Sequence, residues 1–119
     1  MCGNMHGMLK SMIRGTAEKR LNLARIRELK QAVGIFMTLH GGSGTNDVDL
    51  REAIRSGMTE VHINTELRVA WRKALEESLS KDKTEVVPYK LLGAPLRAVQ
   101  SVVRQRLELF NSAHVTEGQ

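Results

Sequence analysis

Aromatic residues are scarce in this 119-residue chain: two Phe, one Trp and one Tyr, 3% in all. Base stacking on single-stranded nucleic acid needs repeated aromatic platforms and has little to work with here. The core must be built from Leu, Val, Ile, Ala and Met. Cysteine occurs once, at Cys2, which excludes an internal disulfide and points to a reducing compartment. Cys2 and His6 would make half of a structural zinc site, but no second Cys/His pair stands at zinc-finger spacing. No apolar run approaches the roughly 18 residues that span a bilayer. The Met-rich start has no continuous apolar stretch of the signal-peptide kind. The expectation is a cytoplasmic protein that engages no membrane.

What is present fits one soluble domain at most: 41% hydrophobic and 26% charged residues. Eighteen basic residues against 13 acidic ones leave a formal charge of +5 and a pI near 9.8. Such a balance favours phosphorylated ligands or nucleic acid. The basic residues are interspersed with acidic ones, however, as on solvated helix surfaces, so no nucleic-acid partner is expected.

Residues 1–20 are Met- and Gly-rich, basic and weakly periodic, and read as a loop. Asn22 is placed to cap a helix running to Val33, with Ile26, Leu29, the stem of Lys30 and Val33 inward and Gly34 ending it. The apolar run Ile35–Leu39 predicts a buried strand, followed by a loop over 40–46. A helix over 47–56 turns Leu50, Ala53 and Ile54 inward and stops at Gly57. Residues 60–64 form the second predicted strand. Thr65 then caps a long helix with the stripe Leu67, Ala70, Trp71, Ala74, Leu75 and Leu79. After a polar connection over 80–87, Pro88 and Pro95 bracket an irregular stretch. A last helix starts near Pro95, where proline suits the first turn. It buries Leu96, Val99, Val102, Val103, Leu107 and Phe110 and leaves a polar tail from Asn111 to Gln119.

Strands alternating with amphipathic helices imply βα units and a parallel sheet. Two strands are too few, because parallel sheets need more strands and two covered faces. Either other copies complete the fold, or the chain is one piece of a larger barrel or sheet. The second is the simpler explanation.

The chemistry-bearing stretch is His40-Gly41-Gly42-Ser43-Gly44, between a strand end and a helix start. By itself GGSG describes a flexible turn. It is not a nucleotide-binding P-loop, since no Lys-Ser/Thr pair follows the glycines. Its position is where α/β folds place ligands, and glycine loops with helix N-termini attract phosphate. His62-Ile63-Asn64-Thr65 leads into the next helix in the same manner. His6 and His40, separated by one helix and one strand, would end consecutive βα repeats, an arrangement that suits two imidazoles on one zinc.

Taken together, Gly3-Asn4-x-His6-Gly7, His40-Gly41-Gly42-Ser43-Gly44 and Ile63-Asn64-Thr65-Glu66-Leu67 resemble the last three active-site motifs of the class II, zinc-dependent ketose-bisphosphate aldolases, in order and at family spacing. The resemblance runs from residue 3 to about Ser112, so residues 1–112 are expected to be a partial barrel and 113–119 a tail. It implies an α/β fold: the C-terminal part of a (β/α)8 barrel, with the loop after strand six, βα units seven and eight, and a C-terminal helix. It implies that His6 and His40 are two of three zinc ligands. It further implies that Gly7, Gly41, Gly42 and Ser43 hold the phosphate of dihydroxyacetone phosphate, with a monovalent cation (Na+ or K+) nearby. His62, Ile63, Asn64 and Thr65 would complete that site.

This sequence departs from the family in three ways. His62 stands where many members have an asparagine, and Asn64 replaces a frequent Asp or Ala. The Asp-His pair of the first barrel half, which carries the third zinc ligand and the proton-handling carboxyl, has no counterpart here. The chain is therefore expected to be the C-terminal portion of an enzyme that cleaves fructose or tagatose 1,6-bisphosphate, inactive alone and homo-oligomeric as the complete enzyme. It would need the N-terminal barrel part or self-association to cover its open faces. A non-enzymatic remnant that folds by docking is the competing expectation.

Overall fold

The computed structural model describes Cys2–Gly3 and residues 18–111. Contacts divide the chain into two units, residues 1–65 and 66–119. The first unit holds a three-stranded parallel sheet in the order β1 (Cys2–Gly3), β2 (Met37–His40), β3 (Met58–Val61). Between the strands run helices α1 (Leu23–Val33) and α2 (Asp47–Arg55). Two residues of the segment read as a loop, Cys2 and Gly3, are thus a strand, paired with Leu39 and His40.

Local chemistry accounts for α1 as expected. The Asn22 side chain accepts from the Arg25 amide at 3.0 Å. Gly34 takes the left-handed conformation (φ 64°) and its N–H closes on the Lys30 carbonyl. Ile26 is buried, and the Lys30 stem lies over Gly57, which has φ 99° and no room for a Cβ. Val33, expected inward, is 49% exposed, so the last turn of this short helix lies outside the core.

The strand boundaries differ from those predicted because pairing decides them. Ile35 and Phe36 are exposed and outside the sheet. Register begins only where Met37 meets Met58. β3 accordingly lies two residues earlier than its apolar pattern suggests, and a bulge at Thr59 brings Glu60 opposite Thr38 and Val61 opposite Leu39. His62, Ile63 and Asn64, expected in the strand, form the loop after it. Met37, Leu39 and Met58 are buried, as are Ile26, Leu50 and Ala53 of the helices, and the strand residues follow period-2 alternation. The opposite sheet face carries Thr38, His40, Glu60 and His62.

Asp49 was not expected inside. It is 2% exposed, and its carboxylate accepts from Arg20 Nε (2.8 Å), Arg20 Nη2 (2.9 Å) and the Leu21 amide (2.8 Å). These bonds tie the approach to α1 onto α2. The Arg20 guanidinium, and then the Leu21 amide, hold the Asp49 carboxyl below its ordinary pKa. Asp49→Ala should destabilise the first unit by about 2 kcal/mol, the scale of hydrogen bonds to a charged group. Because the folded pKa is lowered, the contribution is complete above the unfolded value near 3.9 and is lost as pH falls through the folded value. Thermal melts of wild type and Asp49→Asn should therefore differ at pH 7 and converge only as pH falls through the lowered folded value.

The second unit is a helical hairpin. Helix α3 (Thr65–Lys81) opens at the unit boundary, and α4 (Pro88–Leu109) follows it. The turn is built by Asp82, whose Oδ1 accepts from the Thr84 amide, the Thr84 hydroxyl and the Glu85 amide. Glu85 accepts from the Val86 and Val87 amides and pairs with Lys90, covering a helix start that lacks a side-chain cap. Glu66 and Arg106 form a largely buried ion pair at 2.8 Å, joining the start of α3 to the end of α4, so the two run antiparallel.

Two expectations are corrected here. The last helix begins at Pro88, the N-terminal position where proline loses no bond. Pro95, expected to start it, lies inside it and is buried. No residue of α3 is buried, and Trp71, Leu79, Leu96, Val103 and Leu107 are each at least 40% exposed. Two helices cover only one side of each other, so the remaining apolar surface stays open. Arg25–Glu28, Arg55–Glu52 and Arg72–Glu76 pair along helix surfaces. Among the described residues no helix is long and apolar enough to cross a membrane.

Candidate functional site

Parallel pairing brings the C-terminal ends of β1, β2 and β3 to one side of the sheet, and there the described members of the predicted site, His40 to Ser43 and His62 to Thr65, are found. His40 ends β2, paired with Gly3. His62 follows β3, its N–H donating to the Leu39 carbonyl at 2.9 Å. The two imidazoles meet edge to face, with centroids 4.3 Å apart and planes at 70°. On the same face Glu60 spans two partners: one oxygen meets His62 Nε2 at 2.8 Å, the other accepts from the Thr38 hydroxyl at 2.9 Å. The His62 bond, then the Thr38 bond, hold the Glu60 carboxyl below its ordinary pKa.

The glycine loop is packed rather than flexible. Gly41 and Gly44 have φ near 70°, a conformation that costs glycine nothing. Gly42 is glycine for a different reason. A Cβ there would stand 2.9 Å from Val61 Cγ1, 3.0 Å from the His62 carbonyl oxygen and 3.0 Å from Ile63 Cδ1. The Gly42 amide donates to that His62 carbonyl at 3.1 Å. Next to it Ser43, 4% exposed, accepts at Oγ from the Asn64 amide at 3.0 Å. The loops after β2 and β3 are thus one structure, holding Gly41, Gly42, Ser43, His62, Ile63 and Asn64 together, with Thr65 opening the next helix. His6 and Gly7 lie outside the described residues, and among those described no three His, Cys, Asp or Glu side chains form a metal-binding group.

The start of α2, expected to attract an anion, is poorly suited to it. The Asn46 side chain takes the Val48 and Asp49 amides, and the first turn carries Asp47 and Asp49. Like charge there opposes a phosphate. Sequence reasoning also missed the segment underneath the loop. Lys19 bridges Thr45 in parallel register. Its N–H donates to the Gly44 carbonyl (2.8 Å), its carbonyl accepts from the Asn46 amide (2.9 Å), and its ammonium donates to the Gly41 carbonyl. No local signal marks Lys19 among its basic neighbours. The signal that could have paired Glu60 with His62 is their spacing, since residues two apart in an extended segment share a face. Asp49, four residues before inward-facing Ala53, carried a comparable signal that the sequence reading did not use.

Comparison with known proteins places the chain in a family. The family model for class-II fructose-bisphosphate aldolase matches residues 1–115. The chain is 31% identical over 111 residues to the fructose-bisphosphate aldolase of Geobacillus stearothermophilus, covering 93% of this chain and 37% of that protein. The Staphylococcus epidermidis enzyme of the same name is 30% identical over 112 residues, covering 94% and 37%. The chain therefore spans little more than a third of the length of these relatives. The crystal structure of the YdjI aldolase from Escherichia coli K12 superposes with a TM-score of 0.61 at 20% identity, over 92% of this chain and 46% of that one, which shows a shared fold. The chain belongs to the class II fructose-bisphosphate aldolase family, and its match fits a C-terminal portion of that family.

Proposed function

We propose that the chain is the part of a (β/α)8 barrel carrying βα units seven and eight, within a zinc-dependent enzyme that reversibly cleaves fructose 1,6-bisphosphate to dihydroxyacetone phosphate and glyceraldehyde 3-phosphate. The observation that carries this reading is the Ser43 Oγ to Asn64 amide bond at 3.0 Å. It welds two neighbouring βα loops beside an imidazole at a strand end, which is how barrels of this class build phosphate sites. A sheet with one apolar face under helices and one polar face of Thr38, His40, Glu60 and His62 supports the barrel, whose interior that polar face would line.

His40 fits a metal site as a single ligand. Its ring stands at a strand end against His62, and His6 from this chain with a third histidine from another part of the barrel would complete the ligand set. Zinc bound there supplies Lewis-acid polarisation of the ketone. The rest of the work falls to protein groups. Ser43, Thr65 and the glycine backbone hold the phosphate, and that remote binding energy positions the reacting carbons. Glu60 holds His62 by Nε2, so the ring presents Nδ1 to a substrate oxygen where relatives would present an amide.

Titration of the chain with dihydroxyacetone phosphate tests the phosphate site. Ser43→Ala and Thr65→Ala should each weaken binding about tenfold, the ~1.4 kcal/mol of one good hydrogen bond. Unchanged affinity in both variants would remove the phosphate role from these loops.

A further inference from the structure

We propose that Lys19 is the built-in cation of the phosphate loop: a positioning residue whose ammonium sets the Gly41 carbonyl and supplies the charge that draws in a phosphate ester. This rests on the phosphate reading of the 41–45 loop given above.

Three observations carry it. Lys19 is 7% exposed, an unusual place for a lysine, since buried lysines are rare unless partnered. Its backbone is fixed at two points, to the Gly44 carbonyl and the Asn46 amide, so the side chain starts from the far end of the loop and runs back to its beginning. Its ammonium ends on the Gly41 carbonyl. The other side of the same peptide unit, the Gly42 amide, is tied to the His62 carbonyl. Lys19 therefore fixes the orientation of the peptide that leads into Ser43.

Charge completes the argument. The usual source of anion attraction in such a corner, the following helix start, is occupied by Asn46 and carries Asp47 and Asp49. Asp49 is matched by Arg20. A dianionic phosphate on the 41–45 loop gains from a positive charge close by in a partly dehydrated setting, where Coulomb attraction exceeds its value in water several-fold. Lys19 brings one onto the loop itself.

The test uses the 119-residue chain, titrated with inorganic phosphate and followed through the amide resonances of Gly41, Gly42 and Gly44. Wild type should show saturable shifts. Lys19→Met, which keeps the buried stem, should weaken binding at least tenfold, and Lys19→Arg should restore it to within about threefold while leaving the melting temperature close to that of Lys19→Met. Lys19→Gln, with a donor but no charge, should stay weak. Equal binding by wild type and Lys19→Met overturns the proposal and leaves the phosphate site standing. Recovery by Lys19→Gln overturns the charge role. Collapse of every variant including Lys19→Arg makes Lys19 a folding residue and overturns it as well. Absence of shifts in wild type removes the phosphate reading itself, and this inference with it.

Discussion

Purified alone, the 119-residue chain should show no cleavage of fructose 1,6-bisphosphate. Co-expressed with the preceding barrel segment of a related class II aldolase, it should gain zinc-dependent cleavage, and His40→Ala should abolish that gain. The reason is a division of chemistry. The chain brings His40 at the end of β2 and the welded loops from Gly41 to Thr65, whereas a third histidine and the proton-handling carboxyl would come from elsewhere in the proposed barrel. A zinc site that loses one of three protein ligands loses metal and Lewis acid together. The expected fall is at least about a thousandfold, or ~4 kcal/mol of barrier at 1.36 kcal/mol per tenfold. A coupled assay of triose phosphate formation, with and without added zinc, reads it. Cleavage by the chain alone, or an active His40→Ala complex, would refute the assignment.

The second large effect belongs to Gly42→Ala. A methyl there meets Val61 Cγ1 at 2.9 Å and the His62 carbonyl at 3.0 Å, and a carbonyl on the backbone cannot swing aside as a side-chain tip can. Overpacking of this kind costs about 1–3 kcal/mol. More important, relief requires the two loops to part. That stretches the Gly42 to His62 bond and draws the Ser43 hydroxyl away from the Asn64 amide. Phosphate binding should fall by more than tenfold, with a smaller loss in melting temperature. Gly41→Ala should act through its φ of 70°, which an L side chain rarely adopts. Calorimetric titration of dihydroxyacetone phosphate into both variants separates steric from conformational loss.

Much of the first unit was legible because its signals are local. The Asn22 cap and the Gly34 stop of α1, the inward Leu50 and Ala53 of α2, and the alternation through Met37 and Leu39 each follow from side chains within one element. The glycine loop with His40 before it, and His62 to Thr65 after the next strand, stood out for the same reason. What was misplaced depends on partners distant in sequence. β3 begins at Met58 because Met37 pairs there, and the Thr59 bulge then aligns Glu60 with Thr38. Pro95 falls inside α4 because helix formation starts seven residues earlier at Pro88. Val33, Leu96, Val103 and Leu107 carry the spacing of buried residues yet are exposed, since periodicity specifies a face but not what covers it.

By itself, then, the amino-acid sequence determined an α/β chain with a histidine and glycine corner between strand and helix, and it determined the order of motifs that links this chain to class II aldolases. Those are properties of short stretches and their spacing. Only the tertiary structure decided that the corner is held from below by Lys19 and from the side by Asn64 and His62, and that Asp49 is an interior carboxylate clamped by Arg20. Each of these is a pairing of groups some 20 to 30 residues apart. Hydrogen bonds and Coulomb forces act at a few ångströms, and only folding brings such groups that close.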